Sequence, residues 1–182
     1  MELMLPNQYK DLETTYKTPL AKEALALYGV TEFAGNANNP IILEWAKELG
    51  HTISDYYRKD EIAWCGLFMG VCAKRAGYLP PSGFDALRAK SWANWGEPVY
   101  VDPVKYNILV FERTGGGHVG LYVGEDKKCY YVYGGNQGDK TGFARLPKER
   151  LFAVRREPML IYPSSLTRIY RSPNGVVSEN EA

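Results

Sequence analysis

One cysteine and one histidine stand where a thiol could act as a nucleophile. Cys65 opens a predicted helix, where free N–H groups and the helix dipole stabilise a thiolate. His118 lies far downstream in a Gly-rich predicted strand and could serve that thiol as base and acid. The chain has only two histidines, and His51 falls in a polar loop where a surface role is expected. Cys65 and His118 therefore predict a cysteine hydrolase.

A catalytic imidazole usually needs a third group that fixes its orientation. The next predicted strand runs into Gly134-Gly135-Asn136-Gln137-Gly138, and alternation along it places Gly134 and Asn136 on one face. If the two strands are hairpin partners, Asn136 lies near His118. Asp139, in the following turn, is the alternative orienting residue.

The elements that would carry these residues change type along the chain. Helical spacing of apolar residues predicts helices over 19–28, 40–49 and 62–76, a polar loop over 51–59 and a partly helical stretch over 85–95. After Pro103 the period changes to two, which predicts strands over 107–113, 117–124, 128–134 and 151–157. Helices followed by strands favour the α+β class, with N-terminal helices packed on a C-terminal antiparallel sheet.

The size and composition fit a single domain. The chain has 182 residues, of which 45% are hydrophobic, enough to bury a core without metals or cross-links. We expect one domain over 1–162, with its core at about 19–157. Residues 163–182 end in Ser-Pro-Asn-Gly and Glu-Asn-Glu-Ala, a composition that predicts a mobile tail.

Charge and cysteine content exclude several classes of protein. Lys and Arg total 22 against 21 Asp and Glu, so no basic excess would recruit nucleic acid or an anionic membrane surface. No apolar run approaches the roughly 20 residues of a membrane span. Three cysteines fit a reducing compartment, and Cys72 and Cys129 are interpreted as structural. Residues 1–10 lack the pattern of a secretory signal, so synthesis in the cytoplasm is expected.

Four motifs stand in a recognisable order: Asp-Glu-Ile-Ala-Trp-Cys at 60–65, Ala-Lys-Ser-Trp at 89–92, Gly-His-Val-Gly at 117–120 and Gly-Gly-Asn-Gln-Gly at 134–138. Together they resemble the phage and bacterial cell-wall hydrolases of the CHAP amidase and NlpC-type peptidase superfamily, specifically a small CHAP-like subgroup, over about 29–156. The resemblance implies a papain-like fold whose nucleophilic cysteine opens a helix packed on an antiparallel sheet. It also implies cleavage of amide bonds in the peptides of peptidoglycan.

The resemblance assigns roles by position. Cys65 would be the nucleophile, His118 the general base and acid, and Asn136 the orienting residue, with no metal or organic cofactor. The backbone N–H of Cys65 and the Tyr57 hydroxyl would donate to the oxyanion. Two departures concern these roles: Gly134 stands where many CHAP enzymes have a glutamate, and Lys59 stands where papain-like enzymes often have a glutamine.

Substrate contacts are assigned to four further residues: Trp64, Trp92, Glu32 and Lys90. The tryptophans would line a groove for the stem peptide, although such tryptophans also suit a core. Glu32 and Lys90, with Arg88, would pair with the charged groups of the substrate.

The preferred interpretation is a monomeric cysteine amidase or endopeptidase that acts on the cell-wall peptide after delivery or lysis. A catalytically silent wall-binding or structural module of a phage tail or secreted assembly is the alternative. A transglutaminase-like acyltransferase is a third, disfavoured because Asn136 stands where such enzymes typically have an aspartate. Neither a delivery partner nor an immunity partner is identified by the sequence.

Overall fold

Short helices at the N-terminal end of the chain pack on one antiparallel sheet. The computed structural model describes residues 4–178. In that range the α-helices are α1 (Asp11–Thr14), α2 (Pro19–Ala26), α3 (Pro40–Leu49), α4 (His51–Tyr56) and α5 (Cys65–Arg75). Single turns of 3-10 helix cover Asn7–Tyr9, Gly83–Ala86, Ala89–Asn94 and Lys148–Arg150.

The strands follow the helices in sequence. They are β1 (Glu97–Pro98), β2 (Ile108–Arg113), β3 (Gly116–Glu125), β4 (Cys129–Gly134), β5 (Gly142–Pro147) and β6 (Leu151–Arg156). They form a six-stranded sheet in the order β1-β6-β2-β3-β4-β5, and each neighbouring pair is antiparallel. The predicted α+β class is therefore confirmed.

Side-chain caps explain why α2 and α3 begin where they do. The Thr18 hydroxyl accepts a hydrogen bond from the Ala21 N–H, and Asn39 Oδ1 accepts one from the Ile41 N–H. Each helix has proline at its first position, where the missing N–H has no intrahelical partner to lose. Helix α3 has the predicted bounds.

Helix α5 lies in the centre of the domain. Its residues 65–73 are all buried, and it packs against α2, α3, β3 and β4. Phe68 on this helix contacts Trp45 of α3 and Tyr133 of β4, with ring centroids 5.9 and 6.1 Å apart. Burying an aromatic or aliphatic side chain of this size contributes roughly 1.5–3 kcal/mol, so this face fixes α5 on the sheet. A second buried cluster comprises Leu109, Phe111, Tyr122, Tyr130, Val132 and Leu146.

Several segments differ from the sequence-based prediction, including β1, which was not predicted. Residues 51–56, predicted as part of a loop, form α4, which follows α3 directly after Gly50. Strand β5 was not predicted, because Gly142, Arg145 and Pro147 give it a weak strand pattern. It forms nonetheless because it pairs with β4 along its whole length.

Residues 163–178 contact the domain at several points, whereas the sequence predicts a mobile tail over 163–182. Leu166 is buried, and Arg168 pairs at 2.8 Å with Glu125, a fully buried carboxylate. Arg171 pairs with Asp11 of α1 at 2.9 Å and donates a hydrogen bond to the Val123 carbonyl. Composition marks this segment as polar but does not reveal that its arginines have buried acceptors. Residues 179–182 of the predicted tail lie outside the described residues.

Candidate active site

Cys65 is the first residue of α5, whereas the apolar spacing predicted a helix that begins at residue 62. About 7% of its surface is exposed. Trp64 occupies the N-cap position without a side-chain capping hydrogen bond, and no acidic residue lies in the first turn. N–H groups in the first turn of a helix have no intrahelical acceptor and favour a negative charge. The position therefore suits a thiolate and an oxyanion formed beside it.

Cys65 opens into a cleft of about 450 Å³. Its lining includes the apolar residues Ala63, Leu87 and Ala89, together with the glycine strip Gly115–Gly117 at the β2–β3 turn. Three cationic side chains and no carboxylate complete the lining among the described residues; they are Arg88, Lys90 and Arg113. The cleft thus offers an approach to the sulfur in a positive environment.

His118 follows directly on the glycine strip. It is the third residue of β3, pairs in register with Phe111 of β2 and is buried, with 1% of its surface exposed. Gly117, the residue before it, lines the cleft, and a Cβ built there would lie 3.4 Å from the Ala89 Cβ. The chain therefore brings His118 to the edge of the cleft that Cys65 opens into, although His118 is not among the lining residues.

Strands β3 and β4 are antiparallel neighbours, which confirms the hairpin pairing on which the Asn136 prediction depended. Leu121 pairs with Tyr133, and Tyr122 pairs with Val132. The residues of β4 that pair with β3 end at Tyr133, and Asn136 lies three residues further on, in the turn after the strand. Asn136 is buried with φ of 54°, and its Oδ1 accepts no hydrogen bond from any described residue. Burying an acceptor without a donor costs free energy. This unsatisfied oxygen therefore makes Asn136 a candidate for a role in the site.

The turn that carries Asn136 also contacts the start of α5. A Cβ built on Gly135 would lie 2.6 Å from the Phe68 Cβ and 2.9 Å from Trp64 Cε3. Only glycine allows this approach without a shift of the neighbouring groups. Because Trp64 precedes Cys65 and Gly135 precedes Asn136, this contact fixes the two functional positions relative to each other.

A second close approach positions the part of the cleft lining that contains Leu87. A Cβ built on Gly66 would lie 2.5 Å from the carbonyl oxygen of Leu87 and 2.6 Å from that of Ala86. Glycine directly after Cys65 therefore allows the backbone at 86–87 to lie against the first turn of α5. This contact places Leu87 and the neighbouring Arg88 beside the thiol. No pattern in the sequence distinguished Gly66 from an ordinary helix glycine.

Two of the predicted substrate contacts are wrong. Trp64 and Trp92 are fully buried and cannot reach a substrate. Trp64 Nε1 donates a hydrogen bond to the Glu32 carboxylate at 2.5 Å, and Trp92 Nε1 donates one to the Ala86 carbonyl at 3.1 Å. Both satisfy their only polar group inside the protein, as core tryptophans do.

Glu32 and Tyr57 also have internal roles. Burial raises the pKa of Glu32, whose carboxylate accepts from Trp64 and is not part of the cleft lining. The Tyr57 hydroxyl donates to the backbone carbonyl of Ile62, and burial raises the pKa of this phenol. Since a phenol has one proton to donate, the prediction that Tyr57 donates to an oxyanion is corrected. Of the predicted substrate contacts, Lys90 and Arg88 line the cleft.

The two other cysteines are sealed in the domain. Cys72 and Cys129 are buried, and burial raises the pKa of both thiols. Both agree with the structural interpretation made from the sequence. A raised pKa keeps a thiol protonated and unreactive at neutral pH.

Arg113 is a cleft residue that sequence reasoning did not single out. It ends β2 and pairs with Gly116 across the β2–β3 turn. A basic residue before a Gly-rich turn was the available signal, but a terminal arginine on a strand is usually a solvated charge.

No protein-family model matches the chain, and no curated protein sequence matches it. Among residues 4–178, no group of three or more His, Cys, Asp or Glu side chains is placed to hold a metal ion. The helices in the same range are too short and too polar for any of them to cross a membrane.

Proposed function

We propose that the protein is a cysteine amidase or endopeptidase that hydrolyses amide bonds in peptidoglycan stem peptides, on a papain-like fold. The single observation that carries the proposal is that the segments carrying Cys65, His118 and Asn136 meet near the first turn of α5. Cys65 begins the helix, Gly117 before His118 lines the same cleft, and Gly135 before Asn136 lies against Trp64.

Each group has a step that suits its position. The Cys65 thiolate attacks the amide carbonyl carbon, and the first-turn N–H groups of α5 stabilise the oxyanion. Protonated His118 donates to the leaving amine, which departs and leaves a thioester on Cys65. Water, deprotonated by His118, then attacks the thioester and releases the acid and the free thiol.

Asn136 acts as a positioning residue in this scheme. Its buried Oδ1 has no hydrogen-bond donor among the described residues, and Asn136 follows the strand that pairs with the one carrying His118. An imidazole N–H is a suitable donor for this oxygen. Such a bond would select the tautomer that leaves the other ring nitrogen facing the substrate.

Digestion of purified sacculi tests the proposal. The wild-type protein should release soluble muropeptides, and mass spectrometry of the products identifies the bond that is cut. Cys65→Ala should abolish release, whereas Cys72→Ala and Cys129→Ala should retain it when the folded fraction is matched by circular dichroism.

Three outcomes would overturn the proposal or change its class. Binding of wild-type protein to sacculi without any release would favour the silent wall-binding module. Equal loss in all three cysteine variants would indicate a stability effect. Transfer of the acyl group to an added amine, in place of hydrolysis, would favour the acyltransferase.

A further inference from the structure

A second cavity adjoins the cleft at Cys65. It has a volume of about 670 Å³ and shares a boundary of four residues with the first, namely Ala63, Leu87, Arg88 and Gly115. Beyond this shared boundary its lining is Tyr56, Ile62 and Phe84. The two cavities therefore form one continuous groove with Cys65 in one half.

The halves of this groove differ in chemistry. The half at Cys65 is lined by the cationic residues Lys90 and Arg113, with Arg88 at the junction. The other half is apolar and aromatic. Tyr56 and Phe84 contact each other edge to face, with centroids 5.4 Å apart, and remain 56% and 41% exposed. Exposed rings at the side of a groove form a surface for a substrate's apolar groups.

Arg88 and Lys90 are available to a ligand although each has a protein partner. Arg88 lies 3.2 Å from Asp85, and Lys90 lies 3.3 Å from Glu112. Half or more of each of these four side chains is exposed. Ion pairs this exposed contribute only about 0–1 kcal/mol, so a ligand carboxylate in the groove can compete with them.

The acidic partners do not line the groove. Asp85 and Glu112 are absent from the linings of both cavities, so the charge presented to a bound ligand is positive. The glycine strip Gly115–Gly117 in the lining of the cleft at Cys65 has no side chains, which lets an extended peptide backbone lie close to the cations.

We propose that this groove selects peptides that carry a free carboxylate beside the scissile amide. Lys90 and Arg88 bind the carboxylate, and the apolar part of the substrate lies on Tyr56 and Phe84. The inference rests on the proposed function for its substrate class. It goes beyond that function in predicting that peptides with amidated carboxylates are poor ligands.

Binding to a variant that cannot turn over separates this inference from the proposed function. The protein is Cys65→Ala, and the probes are N-acetylated L-Ala-γ-D-Glu-L-Lys-D-Ala and the same peptide with both carboxylates converted to carboxamides. Calorimetry should give an affinity roughly tenfold higher for the acid than for the amide, as expected for charge-assisted hydrogen bonds.

Variants identify the groups responsible. In the Cys65→Ala background, Lys90→Met and Arg88→Met together should reduce the acid-to-amide ratio to about one, and Lys90→Arg should keep it. Phe84→Ala should weaken both peptides by the same factor. Lys47→Met is the matched control, because Lys47 pairs with Glu44 on α3 and does not line the groove.

Equal affinity of the two peptides overturns the inference, as does a ratio unchanged in the double variant or a failure of both peptides to bind. Absence of hydrolysis by the wild-type protein, with acid-selective binding intact, counts against the proposed function alone.

Discussion

Gly135 lies against Trp64, so the residue before Asn136 contacts the residue before Cys65. A side-chain carbon at Gly135 would come within 2.9 Å of the Trp64 ring. This contact between the end of β4 and the start of α5 is where the sheet and the helix jointly determine the geometry of the candidate site. A change there should alter activity by displacing groups, without removing any of them.

Gly135→Ala should lower the free energy of unfolding by about 1–3 kcal/mol, because overpacking forces neighbouring groups to move. Urea denaturation measures the loss. Gly142→Ala is the matched control on the same hairpin, since a Cβ there would meet only the Lys140 side chain at 3.7 Å. If both variants are equally stable, the close packing at Gly135 does not constrain the site.

Replacement of the histidine should affect catalysis more than replacement of the asparagine. His118→Ala removes the proton donor and acceptor and should lower kcat by about 10²–10⁴-fold. Asn136→Ala should keep measurable activity, with a shifted pH profile of kcat/KM because the variant lacks the acceptor proposed to orient the imidazole. Steady-state kinetics across pH gives both quantities.

The exposed His51 supplies the control for that comparison. His51→Ala should behave as wild type. A smaller loss for His118→Ala than for Asn136→Ala would contradict the assignment of their roles.

Native thiol labelling should distinguish the three cysteines. Iodoacetamide at pH 7.5 should modify Cys65, which lines a cleft, and leave Cys72 and Cys129 unmodified because burial shields them and raises their pKa values. Peptide mass spectrometry locates the label. All three should react in guanidinium chloride, and native labelling of Cys72 ahead of Cys65 would argue against a reactive thiol at the helix start.

Asp126 should make the domain sensitive to acid. Burial alone would raise the pKa of this carboxyl, but hydrogen bonds from Arg145 and from the backbone N–H groups of Lys128 and Cys129 lower it from 3.8 to about 2. A carboxyl group whose pKa is lower in the folded state than in the unfolded state stabilises the protein at pH values above its unfolded-state pKa. We therefore expect roughly 1–2 kcal/mol of stability to be lost as pH falls from about 4 to about 2.

Urea unfolding of Asp126→Asn at several pH values checks this. The variant should be less stable than wild type at pH 7, and the difference should shrink near pH 2. Asp55→Asn, at an exposed position on α4, is the control and should change little. A constant difference between Asp126→Asn and wild type from pH 7 to pH 2 would contradict the explanation.

Local signals predicted the central elements well. Helical spacing of apolar residues located α3, and the period-two segments after Pro103 located β2, β3, β4 and β6. The hairpin pairing of β3 and β4, on which the Asn136 prediction depended, is confirmed. These helices and strands depend on residues that are close together in the sequence, so the sequence alone can predict them.

The parts that were wrong depend on distant contacts. Whether Trp64 faces a groove or the core is decided by Trp45 and Glu32, which approach it only in the fold. Tyr57 could not be assigned without its acceptor at Ile62. The groove itself forms between α4, the Gly83–Ala86 turn and the β2–β3 turn. Sequence periodicity cannot predict contacts between elements that lie so far apart in the chain.

The arginines after Pro163 make this C-terminal segment a structural component of the domain. Trimming the chain at residue 162, where composition suggests an end, would remove Arg168 from a carboxylate with no solvent exposure. Losing one of its cationic partners weakens the compensation of this buried charge and should destabilise the domain, and Lys148 would remain as the one cation paired with Glu125 among the described residues. A shortened version prepared for crystallisation or fusion should therefore retain residues up to at least Ser178.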